Sequence, residues 1–185
     1  LSIDIIGVLF AIKQSTIYNK RRVFMNSKVV DLLVAQVNKE LHSAYLYLGI
    51  SKYFQVNDMP GFASWYKVQA REEQEHAMKI YEYLLDNDQD VALGAIAAVS
   101  SDYKNALEAV KAADKHEHYI TDEINKIYDA AVSAKDYRTQ LFLNWFVTEQ
   151  EEEEKNSKDM VVKVQMLGDK PKNLYLLDKE LGARQ

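Results

Sequence analysis

Only two prolines, Pro60 and Pro171, occur in this chain of 185 residues, and each falls where one helical segment gives way to the next. Proline removes a backbone donor and clashes with the preceding turn. A chain that confines it to segment starts is free to be helical almost everywhere else. Glycine is equally scarce, with six in all, and the good helix formers Ala, Leu, Glu and Lys recur throughout. Val30, Leu33, Val34, Val37, Leu41, Ala44, Tyr45 and Leu48 repeat at helical spacing. They predict a first helix from a cap at Asn26 or Ser27 to about Gln55.

Asn57-Asp58-Met59-Pro60-Gly61 breaks that helix, and Pro60 suits the first turn of a second one running to about Asp86. The polar cluster Asn87 to Asp90 ends it and opens a connection reaching to about Ser101. That is longer than adjacent antiparallel helices need, and suits a crossover along the length of a bundle. Ser101 or Asp102 is the expected cap of a third helix to about Ala134. Lys135-Asp136 turns the chain into a fourth helix ending near Leu167-Gly168, and a short fifth helix follows from Lys172 to Leu181. The fold class is therefore all-α: four long helices, one long crossover and a short C-terminal helix.

Composition narrows the chemistry. A net charge of -5 argues against a nucleic-acid binder, which presents a basic face, and favours cations. The absence of cysteine excludes disulfides, thiolate zinc sites and iron–sulfur clusters. Any metal must be held by oxygen and imidazole, and nothing calls for an oxidising compartment. Residues 1–24 differ from the rest. The apolar run Ile3 to Ile12 is too short to span a bilayer, and the basic cluster Lys20-Arg21-Arg22 follows it, whereas a secretory signal carries its charge first. Residues 1–24 are expected to be an extension, disordered or of artificial origin, ahead of one domain over 25–185. No membrane association is expected.

The chemistry sits in an internal repeat. Glu40 precedes Glu73 by 33 positions, and Glu117 precedes Gln150 by the same 33, so Glu73-x-x-His76 overlays Gln150-x-x-Glu153. The i, i+3 spacing puts each pair on one helical face, and Glu40 and Glu117 add one carboxylate from each partner helix. Di-metal carboxylate bundles use such a set. Four inward carboxylates, Glu40, Glu73, Glu117 and Glu153, cannot stay unpaired in a bundle core, and two divalent ions would neutralise them. Mostly oxygen ligands with one imidazole suit iron or manganese, and softness does not separate those two.

Glu149, Glu152 and Glu153 lie at i, i+3 and i+4, and Glu72 adjoins Glu73, so a third metal position sharing Glu153 is a candidate. Glu151 and Glu154 in the same acidic run read as a solvated face. His42, His116 and His118 flank Glu40 and Glu117 and are expected to point off the site, at the surface or an interface. Tyr47 lies two turns after Glu40, on its face, where a phenol can donate an electron or hydrogen-bond a ligand. Trp145 reads by default as core packing.

Four segments together resemble the bacterial non-haem ferritins: Asn38 to Tyr45, Ala70 to His76, Phe142 to Lys155 and Leu174 to Leu181, with likeness running from Met25 almost to the end. The resemblance implies a ferritin-like di-iron domain, with Glu40, Glu73 and His76 at a first iron position and Glu73, Glu117 and Glu153 around a second. Glu73 would bridge, Gln150 would lie close to the pair, and Glu72, Glu149, Glu152 and Glu153 would form the third site. Tyr47 and Trp145 correspond to an aromatic pair near the centre. It further implies a ferroxidase: a cytoplasmic hollow shell of twenty-four identical subunits that oxidises Fe(II) with dioxygen or hydrogen peroxide and stores a ferric oxyhydroxide mineral. The fifth helix would line the four-fold axis. Bacterioferritins repeat Glu-x-x-His on the fourth helix and bind haem through a Met after the bridging Glu. Here those places hold Gln150-x-x-Glu153 and Gln74, so no haem is expected. Two other readings of the residues stay open: another di-metal bundle enzyme, such as a manganese catalase or an oxygenase, and a non-catalytic helical interaction protein.

Overall fold

The computed structural model describes residues 25–168 and 170–183, so the expected extension over residues 1–24 lies outside the described residues. Five helices follow in order: α1 Ser27–Val56, α2 Pro60–Asp86, α3 Ala106–Ser133, α4 Tyr137–Leu167 and α5 Pro171–Leu181. Local chemistry sets their ends. The Asn26 side chain accepts from Lys28 N at the start of α1, Pro60 opens α2, and Asp136 caps α4 by accepting from Thr139 N. Asp58, Asp88 and Lys135 take positive φ in the turns after α1, α2 and α3, the left-handed step that stops a helix.

The third helix begins later than the spacing predicts. Asn105, not Ser101 or Asp102, caps α3, accepting from Glu108 N at 2.9 Å. Ser100 and Asp102 instead bond each other within the crossover, and Lys52 reaches across to Asp102 at 3.0 Å. The crossover thus extends to residue 105 and follows α1: Gly94 lies by Asn38, and Gly49 lies by Ser100. At Gly49 a Cβ would sit 2.5 Å from the Ser100 carbonyl oxygen, so only glycine lets the strap lie this close.

The core divides in two. One apolar cluster joins Ile50, Phe54, Phe62, Tyr66 and Val110 with Leu174, Leu177 and Leu181 of α5. The other joins Leu33, Val37, Ile80, Leu84, Ile124 and Leu143 at the opposite end. Between them lies a buried polar layer. Asp178 pins α5 to the bundle, its carboxylate accepting from Phe62 N at 2.9 Å at the positive end of α2. Gly61 permits this approach, since a Cβ there would overlap the Asp178 carbonyl oxygen. No described helix is long and apolar enough to cross a membrane.

Candidate metal centre

Each long helix contributes one or two turns to the polar layer. Gln36 and Glu40 come from α1, Gln69, Glu73 and His76 from α2, Glu117 from α3, and Gln150 and Glu153 from α4; all are buried. Helical spacing explains why they meet: residues three or four apart share a face, and each of these faces points to the bundle axis. One ligand atom from each of Glu40, Glu73 and His76 lies within 4.8 Å of the others, a grouping able to hold a metal ion. His76 Nδ1 stands 3.6 Å from Glu73.

The second half of the repeat closes the layer. Gln150 donates to the Glu117 carboxylate at 3.2 Å, to the Glu117 carbonyl at 3.3 Å and to Thr121 at 3.3 Å. Tyr47, from α1, donates its phenolic hydrogen to the other Glu117 oxygen. Gln69 donates to Glu153 at 2.8 Å, and Gln36 donates to Glu40 at 2.9 Å. A water-sized cavity of about 10 Å³ borders Tyr47, Gln69, Glu117 and Glu153.

Burial dominates the electrostatics. It pushes Glu40, Glu73 and Glu117 up to about 8, helped by Glu73 beside Glu40 and by Glu153 beside both Glu73 and Glu117. Glu153 is pushed up to about 7, again first by burial. Desolvation and like charge both favour the protonated form. Among the described residues no lysine or arginine is buried, so the protein supplies no permanent cation to balance these groups. Glu40 Oε2 is buried with no hydrogen-bond donor aimed at it among the described residues. Its close neighbour is the Glu73 carboxylate. Two acceptors facing each other are stable only around a shared proton or a shared cation. The donor set therefore fits divalent metal.

A family model for the ferritin-like domain matches residues 30–167. The chain is 35% identical over 155 residues to a bacterial non-haem ferritin of Campylobacter jejuni, covering 84% of this chain and 93% of that protein. It is 36% identical over 158 residues to a probable bacterial non-haem ferritin-like protein of Haemophilus influenzae, covering 85% and 96%. The chain belongs to the bacterial non-haem ferritin family.

That membership places it among the iron-storage ferritins. Among solved structures it is similar to an open-pore ferritin of the archaeon Archaeoglobus fulgidus, with a TM-score of 0.85 and 37% identity over 88% of this chain and all of that one. A humanised archaeal ferritin also matches, with a TM-score of 0.85 and 36% identity over 88% and 99% of the two chains. The ferritin-like bundle, with its crossover and short fifth helix, is thus the fold expected from the sequence.

Within this ferritin the expected site residues separate by burial. Glu40, Glu73, His76, Glu117, Gln150, Glu153 and Tyr47 converge in the layer. Glu72 and Glu149 are half-buried at its edge, with Glu149 3.9 Å from His76 Nε2, and both raise Glu73 and Glu153 by their charge. Glu152 is exposed. Glu151 is exposed as expected, while Glu154 is half-buried and meets His118 at 3.1 Å.

Two expectations need correction. His116 does not point wholly off the site: half-buried, it sets its Nε2 2.7 Å from Ser43 across the α1–α3 seam, and its ring meets Tyr47 edge-on. Burial first, with His42 nearby, holds it down at about 4, so it is neutral. Trp145 is not core: it is 38% exposed, its ring meets His76 edge-on at 5.3 Å, and Lys79 lies over its face at 4.3 Å. Gln36 and Gln69 are members of the layer that the glutamate pattern alone does not single out. They are themselves 33 residues apart, each four residues before a ligand candidate, so the repeat that locates the glutamates also marks the amides.

Proposed function

We propose that this ferritin oxidises Fe(II) to Fe(III) at a di-iron centre and keeps the product as a ferric oxyhydroxide mineral inside a hollow homo-oligomeric shell. The reading rests on the buried Glu40, Glu73 and His76 group, whose ligand atoms lie within 4.8 Å of one another in a layer where, among the described residues, no lysine or arginine is buried. Glu40, Glu73 and His76 hold one Fe(II), and Glu73, Glu117 and Glu153 hold the other, with Gln150 and Tyr47 fixing Glu117. Entry of the ions displaces the protons that burial keeps on the carboxyls.

The two Fe(II) give one electron each to a dioxygen, which with two protons leaves as hydrogen peroxide; hydrogen peroxide, as the alternative oxidant, takes the same two electrons and two protons to give two waters. Neither step needs an organic cofactor or haem. Fe(III) is a strong Lewis acid that lowers the pKa of bound water, so it hydrolyses readily and moves on as an oxo-hydroxy species. Glu72, Glu149 and Glu152, sharing Glu153, serve as a third iron position on that route. The shell is a twenty-four-subunit assembly with α5 at the four-fold axis, and its place is the cytoplasm.

Size-exclusion mass, combined with iron per subunit after aerobic Fe(II) loading, tests the proposal. A large shell retaining many irons per subunit is expected. A mass of one subunit would favour a di-metal oxygenase, and a chain that takes up no iron would point to an interaction bundle.

A further inference from the structure

Three carboxylates of the centre each accept an amide hydrogen from a glutamine. Glu117 takes an amide hydrogen from Gln150 at 3.2 Å, Glu40 takes one from Gln36 at 2.9 Å, and Glu153 takes one from Gln69 at 2.8 Å. We propose that Gln36 and Gln69 are positioning residues of the metal centre: each donates an amide hydrogen to one oxygen of an outer carboxylate, Glu40 or Glu153, and so presents the other oxygen to iron.

Gln36 makes the stronger case. It is wholly buried, and its Oε1 has no donor among the described residues. A buried carbonyl without a partner is costly, and a leucine or methionine in the same place would avoid that cost. The amide is therefore poorly explained as a packing residue. Once Glu40 is ionised on a metal, the orientation of the amide is decided, since turning it over would set a carbonyl against a carboxylate. With Oε1 of Glu40 occupied by Gln36, the oxygen that remains is Oε2, the one with no donor.

Gln69 repeats the device across the bundle. It stands four residues before Glu73, as Gln36 stands four before Glu40, yet its amide reaches Glu153 on α4. The corresponding positions of the second hairpin are Ala113 and Phe146, which have no donor to offer. There Gln150 supplies the amide directly. Glu40 and Glu153 are thus each held on one oxygen and rotationally restricted, which favours ligation through a single oxygen.

This inference rests on the di-iron reading, and the test separates the two. Co(II) is titrated anaerobically into the full-length parent, Gln36→Met and Gln69→Met, with binding followed by calorimetry and by the visible Co(II) spectrum. The parent should bind two Co(II) per subunit; if it binds none, the di-iron reading fails together with this one. If the parent binds normally, each variant should lose about 10–100-fold in affinity at one of the two positions, the cost of removing an outer-shell partner. The Co(II) spectrum should also change intensity, as a released carboxylate ligates through both oxygens. Variants with parental affinity and spectrum would overturn the positioning role, whatever their melting temperatures. If Gln36→Met does not assemble, Gln36→Asn keeps an amide but withdraws it by one methylene, and is expected to show the same loss.

Discussion

Tyr47 on α1 gives its phenolic hydrogen to Glu117 on α3, 70 residues further along the chain, and so ties the two halves of the internal repeat together at the candidate metal centre. The ring is held independently of that bond, stacked on Tyr66 at 5.8 Å and met edge-on by His116. Tyr47→Phe should therefore keep the packing and release only the carboxylate. The initial rate of Fe(II) oxidation, read by stopped-flow absorbance, is expected to fall about tenfold, the equivalent of one hydrogen bond to a charged group. An unchanged rate would mean that Gln150 alone suffices to hold Glu117.

Glu73→Ala removes the carboxylate proposed to serve both iron positions. The loss of fast oxidation should exceed the ~100-fold upper cost of losing an outer-shell partner. Alanine is a good helix former, and the substitution removes a buried acid, so the shell should still assemble. Assembly is read by size exclusion and oxidation by oxygen consumption. A parental initial rate would remove Glu73 from the centre.

Glu149→Ala combined with Glu152→Ala should leave the first oxidation event close to parental and change repeated turnover or iron stoichiometry. Glu149 is half-buried beside His76, and Glu152 is exposed, so neither substitution opens the core. Successive additions of two Fe(II) per subunit separate the two behaviours. Loss of the first event would place these residues in the di-iron pair itself.

The metal-free protein should lose stability as pH rises. Glu40, Glu73 and Glu117 are raised to about 8 and Glu153 to about 7, chiefly by burial. A carboxyl that keeps its proton in the folded state favours folding fully below its ordinary value near 4.5. That advantage is lost as pH climbs through the raised value. Tm of the metal-free form should fall from about pH 5 to about pH 8, and divalent metal should flatten the profile by taking the place of the protons. Calorimetry with and without Zn(II) gives both curves; a metal-free Tm that rises over this range would contradict the charge assignment.

Asp178→Ala tests how α5 is held. It leaves Phe62 N without its acceptor and removes a negative charge from the start of α2, at a cost of about 1–3 kcal/mol. Leu174, Leu177 and Leu181 still bury their side chains in the core, so α5 should loosen without detaching. Protease sensitivity near residue 170 and a lowered Tm are the expected readouts.

The helices and the identity of the ligand candidates are legible without tertiary structure, because both depend on local spacing. Pro60 and the caps at Asn26 and Asp136 mark ends through the backbone's own unpaired groups, and Glu73 with His76 share a face simply by standing three residues apart. The 33-residue repeat pairs the hairpins because the stretches flanking each turn match, Glu40–Val56 with Glu117–Ser133 and Pro60–Glu73 with Tyr137–Gln150, and so bring equivalent residues to the same height. The start of α3 is not legible in the same way, because Ser100, Asp102 and Lys52 bond one another in the crossover, a competition that no cap rule registers.

What crosses between helices is decided only by the fold. Neighbouring positions in the sequence do not reveal that His116 finds Ser43, that Trp145 stays at the surface against His76, or that Gln69 passes over Glu73 to reach Glu153. Those outcomes depend on interhelical distance and on which buried polar groups lack a partner, quantities that exist only once the bundle has closed. The sequence by itself determined which side chains are the ligand candidates, because helical spacing and the repeat are local properties of the chain. The tertiary structure decided which carboxylates keep an oxygen free of hydrogen bonds, Glu40 keeping one while Tyr47 and Gln150 take both of Glu117, because those donors arrive from other helices.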